Sequence, residues 1–90
     1  SAFDFHRDIV PHCEKLRPGF YDRMWDNFND KKMLNGNGTY MGIENPESLA
    51  CNWESDDETP DKELLADLLL MFEVCGVDPN TQDMTLWISW

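Results

Sequence analysis

Basic residues almost vanish from this chain after residue 34. Lys62 is the only one in residues 35–90, where it faces twelve acids. Residues 1–34 balance six bases with six acids, so the whole net charge of −11 belongs to the later part. Such a field repels phosphate and argues against direct binding to nucleic acid or to an anionic membrane. Cysteine is scarce too. Cys13, Cys51 and Cys75 are odd in number and form no CxxC, so neither a disulfide framework nor a zinc knuckle is indicated. Their apolar neighbours predict buried, reduced thiols of a cytoplasmic protein. Only His6 and His12 could serve as imidazole bases. His12 adjoins Cys13, but adjacent residues on a helix do not face each other. GxSxG, HExxH and glycine-rich phosphate loops are all missing. No signal peptide or membrane-length apolar run occurs. These absences predict a non-catalytic chain without cofactor or metal.

What is present is a large apolar and aromatic load. Four Trp, five Phe and two Tyr in ninety residues supply one modest core and leave aromatics for an interface. The length sets an upper limit of one compact domain, 1–90. Phe3, Phe5 and Ile9 alternate with polar residues, which fits either a short strand or the start of a helix that runs through Pro11 to Leu16. Pro18-Gly19 then breaks the chain. Phe20, Tyr21, Met24, Trp25 and Phe28 share one face of a helix over about residues 18–30. Asn and Gly at 35–38 predict a hairpin joining 31–34 to 39–43. Leu49, Cys51 and Trp53 alternate, which predicts a strand. Thr59 as cap and Pro60 at the first turn predict a helix over about 60–75, ended by Gly76. Alternation from Met84 to Trp90 predicts a final strand. The fold class read from this order is α+β, with helices on one face of a small, mostly antiparallel sheet.

The chemistry lies in residues 54–63, ESDDETPDKE, where six of ten positions are carboxylates. Asp61 and Glu63 favour the positive end of the following helix. The others call for a different reason. With Leu64 at 0° on a helical wheel, Leu64, Leu65, Leu68, Leu69, Met71, Phe72 and Cys75 fill an arc from about 340° to about 140°, the predicted core face. Leu70 and Val74 fall outside it, between Glu63 and Asp67, as a possible apolar contact patch. Asp56, Asp57, Glu58 and Asp61 are hard oxygen ligands, yet they match no calcium loop, and DPNTQD at 78–83 lacks the required glycine and the terminal glutamate.

The sequence therefore predicts an acidic binding protein that masks a basic surface of a partner, itself expected to bind nucleic acid. Its candidate contacts are Glu54, Asp56, Asp57, Glu58, Asp61, Glu63 and Asp67, with Leu70 and Val74 as apolar anchors. Size and charge are those of inhibitors in phage counter-defence (against restriction or CRISPR nucleases) and of immunity proteins, an analogy of physical type. The alternative is an interaction module that holds its partner through exposed aromatics such as Trp53, Trp87 or Trp90. A divalent-cation sensor is a third reading.

Overall fold

The computed structural model describes residues 2–34, 38–51 and 60–89. Strand β1 is only Phe3–Asp4 and leads directly into a π-helical turn, Phe5–Ile9. Both readings of the opening stretch are thus partly realised. Asp4 starts the turn reciprocally: its carboxylate accepts from Arg7 N at 2.9 Å, and its own N–H donates to Asp8 at 3.0 Å. Pro11 has no N–H to offer Arg7, so a regular four-residue ladder could not run through here. The wider turn closes instead on a bond from Val10 N to the Phe5 carbonyl. Phe5, Ile9 and Cys13 all reach the core, fully buried.

Helix α1, Val10–Leu16, ends before Pro18-Gly19, and α2 runs over Phe20–Asp30. Gly19, the residue before α2, has a left-handed φ of 88° and no side chain to cap with. Glu14 takes over that task. Its carboxylate accepts from the backbone N–H of Gly19 and of Tyr21, each at 2.8 Å. Those two bonds, the Tyr21 one first, hold the Glu14 carboxyl below its ordinary value of 4.5. A depressed folded value contributes stability above the unfolded value that is lost as pH falls through the folded one. Glu14→Gln should therefore lower the melting temperature at neutral pH and flatten its fall as the pH drops below the ordinary carboxyl value of 4.5. A pH series of thermal melts checks both effects.

Strand β2, Gly38–Ile43, and strand β3, Met84–Ser89, pair antiparallel, with Thr39 opposite Ile88 and Met41 opposite Leu86. Strand β1 joins the other edge of β3 in parallel, giving the order β1-β3-β2. The architecture is α+β, but the sheet is mixed rather than mostly antiparallel. The predicted hairpin is corrected as well. Strand β2 forms where expected, but Lys31–Leu34 is no strand, and the partner of β2 is β3, some forty residues on. The cue at 35–38 is local, whereas β3 offers Leu86 and Ile88 to a buried face, a stronger reward that local patterning cannot register.

The strand predicted around Leu49 is a short helix, α3, Pro46–Ala50. Asn45 Oδ1 caps it by accepting from Glu47 N and Ser48 N, and Pro46 stands in the first turn. Cys51 and Pro60 then form an isolated antiparallel bridge, and Asp61 N donates to the Ala50 carbonyl at 2.9 Å. Trp53 and the proposed cap Thr59 lie outside the described residues. Helix α4 runs over Lys62–Cys75 and ends at Gly76, whose φ of 69° suits a residue without Cβ.

One cluster of buried side chains joins these elements. Phe5, Phe20, Phe28 and Phe72 meet Met41, Ile43, Met84, Leu86 and Ile88 from one face of the sheet. Trp25 and Leu65, expected in the core, are half-buried at its margin. Among the described residues no helix is long and apolar enough to cross a membrane.

Candidate partner-binding site

The first turn of α4 carries the described part of the acidic stretch. Asp61 is the cap: its Oδ1 accepts from Glu63 N at 2.9 Å and from Leu64 N at 3.1 Å. One oxygen is thus committed to the helix, while the residue remains exposed. Glu63 is also exposed and lies 3.1 Å from Arg23 Nε. Glu54, Asp56, Asp57 and Glu58 lie outside the described residues.

Asp67 stands apart from this surface set. Its side chain has no solvent exposure. Oδ1 accepts from Arg17 Nε at 2.7 Å and from Arg23 Nη2 at 3.1 Å, and Oδ2 accepts from Arg23 Nε at 2.9 Å. Arg23 also donates to the carbonyls of Pro18 and Arg17. Two bases of the neutral first part therefore cross to α4 and enclose one acid of the second. Asp67 ties α1 and α2 to α4, and in this state it offers no surface to a partner.

That cluster turns the helix. The buried residues of α4 are Leu64, Asp67, Leu68, Met71 and Phe72, an arc from about 300° to about 80°. The buried face is rotated by about 50° from the one that apolarity alone predicts. Leu69, assigned to the core by the wheel, is 41% exposed. Leu70 and Val74 are half-buried and pack against the core, so they form a covered flank rather than an outer patch. An apolarity wheel assigns Asp67 to solvent and cannot register its two arginine partners. Arg17 and Arg23 are six residues apart, and only the turn at Pro18-Gly19 brings them together.

Beside the first turn of α4, a cleft of about 180 Å³ opens against α2. Asp26, Asp61, Glu63 and Asp67 line it with Arg23, which leaves carboxylates in excess. No family model, curated protein or solved structure matches the chain.

The remaining candidates have structural tasks. Asp78 Oδ1 accepts from Asn80 N, and Gln82 Oε1 accepts from Asp78 N, both at 2.9 Å, so the DPNTQD oxygens hold their own turn. Among the described residues no three of His, Cys, Asp and Glu converge as metal ligands would. Burial pushes the Cys13 thiol up to about 12, and burial also raises Cys75. Neither is a thiolate at neutral pH. Cys13 alone is fully buried; Cys51 and Cys75 are only partly buried, against the expectation of three buried thiols.

Two aromatics compose a second surface. On the sheet face opposite the core, Tyr40 is 69% exposed and its ring lies 4.6 Å from that of Trp87, centroid to centroid. The alternation of β2 and β3 contains this feature, because whatever leaves the core side must arrive on the other.

Proposed function

We propose that this chain is a non-catalytic, cytoplasmic binding protein whose acidic second half occupies a basic, nucleic-acid-binding surface of a partner protein. One observation carries the reading: twelve acids against a single lysine in residues 35–90. The structure adds a reason why this excess persists. Of the first part's bases, Arg17 and Arg23 turn inward to Asp67, and Arg7 is bonded to its neighbour Asp8. Asp61 and Glu63 stay exposed at the start of α4. One DNA strand carries about one phosphate per 3.4 Å of helix axis. Six carboxylates in ten residues fall short of that density alone and approach it only where further acids of the second half, the enclosed Asp67 excepted, share their face. A groove built for phosphates would accept such a surface, and the likeness to inhibitors of phage counter-defence and to immunity proteins is one of size and charge.

A second reading, an interaction module held by apolar contact, is favoured by the Tyr40–Trp87 pair, in which Tyr40 is exposed but Trp87, expected to be exposed, is half-buried. Trp53 and Trp90, its other candidates, lie outside the described residues. Salt separates the two. The captured partner should associate at least about tenfold more slowly at 1 M salt, where the Debye length is about 3 Å, than at low salt. An association rate indifferent to salt would support the apolar module instead.

A further inference from the structure

The outer face of the sheet carries the Tyr40–Trp87 ring pair. Met41, Ile43, Met84, Leu86 and Ile88 are buried, so strand parity assigns Tyr40, Gly42, Thr85 and Trp87 to the opposite face. Tyr40 and Trp87 are direct cross-strand partners. Trp87 lies close over Gly38, where a Cβ would stand only 2.5 Å from its ring. Among the described residues, nothing lies within 4 Å of where a Cβ would project from Gly42, opposite Thr85. A bare floor therefore adjoins the exposed Tyr40 ring.

Carboxylates stand around this floor. Glu44 and Asp83 follow and precede the pair Ile43–Met84 at the end of the sheet, and both are exposed. Among the described residues neither is in a salt bridge. Asp4 is opposite Trp87 on the β1 side, although one of its carboxylate oxygens is already committed to Arg7 N. An aromatic pair set among acids attracts a cation through both the ring quadrupole and the field. A nucleic-acid base would stack on the same rings, but the surrounding charge repels its phosphates. A second copy of this chain would bring another −11.

We propose that the Tyr40–Trp87 face seats an arginine side chain of the basic partner, its guanidinium stacked on Tyr40 above Gly42. Arginine fits better than lysine because its planar head stacks on a ring while its N–H groups stay free for carboxylates at the rim. The inference rests on the basic-partner reading and adds a specific seat to it.

The test uses the full chain with two defined probes, nona-arginine and nona-lysine peptides, at about 0.15 M salt. Amide chemical shifts should move at Tyr40, Gly42, Thr85 and Trp87, and nona-arginine should bind more tightly than nona-lysine. Tyr40→Ala should weaken nona-arginine about fivefold and Tyr40→Phe should not, since the ring is what binds. Gly42→Leu fills the floor without altering charge and should weaken binding similarly, which covers the case in which Tyr40→Ala perturbs the fold. If nona-arginine binds wild type, Tyr40→Ala and Gly42→Leu equally, with shifts confined to α4, the seat is overturned and the basic-partner reading stands. If wild type binds neither peptide, both are overturned.

Discussion

Arg17→Ala combined with Arg23→Ala is expected to cost the fold about 3–5 kcal/mol. The change leaves Asp67, which has no solvent exposure, without either of its partners. A buried carboxylate stripped of its cations must remain charged in a poor solvent or take up a proton, and either course is expensive. Each single variant should cost less, because the other arginine stays bonded. Both arginines are partly exposed, so Asp67→Ala, which leaves the cations where water can reach them, should cost less than the double arginine change. Urea melts of these four variants beside wild type give the order. A double variant within about 0.5 kcal/mol of wild type, as an ordinary surface change would be, contradicts the buried cluster.

Leu68→Ala is the second large effect, expected at about 2–5 kcal/mol. Leu68 is fully buried among core side chains, and its truncation leaves a cavity that backbone anchored on both sides cannot collapse. Its neighbour Leu69 is 41% exposed, so Leu69→Ala should cost about 0.5 kcal/mol or less. A wheel drawn from apolarity assigns both leucines to one face. Comparable costs for the two would therefore return α4 to that orientation and contradict the rotation.

The large gap between these two leucines shows where sequence reasoning runs out. Periodicity located α2 and alternation located β3, because each pattern reflects a single buried face, while the Asn and Gly turn cue placed β2 and the cap and stop residues bounded α4. Gly76 and Pro18-Gly19 marked chain breaks through backbone preferences that need no tertiary context. The pairing of β2 with β3, the two-residue β1 and the turn of α4 toward Arg17 and Arg23 all depend on residues far apart in the chain. The helix at Pro46–Ala50 had its local cue in Asn45-Pro46, a cap followed by a first-turn proline, yet the alternation of Leu49, Cys51 and Trp53 outweighed it. Of the candidate contacts, Asp61 and Glu63 are exposed at the start of α4, Leu70 and Val74 are half-buried, and Asp67 is enclosed. An acid that anchors a core and an acid that faces a partner are the same letter in a sequence. Burial tells the two apart: Asp67 has no exposure between its two arginines, whereas Glu63 stays exposed although it too lies beside Arg23.

The proposed function rests on the acidic stretch acting in recognition rather than in folding. The most direct measurement is the association rate of the captured partner with wild type and with the quadruple variant Asp56→Asn, Asp57→Asn, Glu58→Gln and Asp61→Asn. Asparagine caps a helix about as well as aspartate, so the start of α4 should survive the change at position 61. Removing crowded like charges should leave stability the same or slightly higher. The expected result is an unchanged fold and an association rate at low salt at least about tenfold slower than wild type, with the difference shrinking at high salt. A variant that associates as fast as wild type at low salt would contradict the proposal and reduce the stretch to a helix start and a solvated surface.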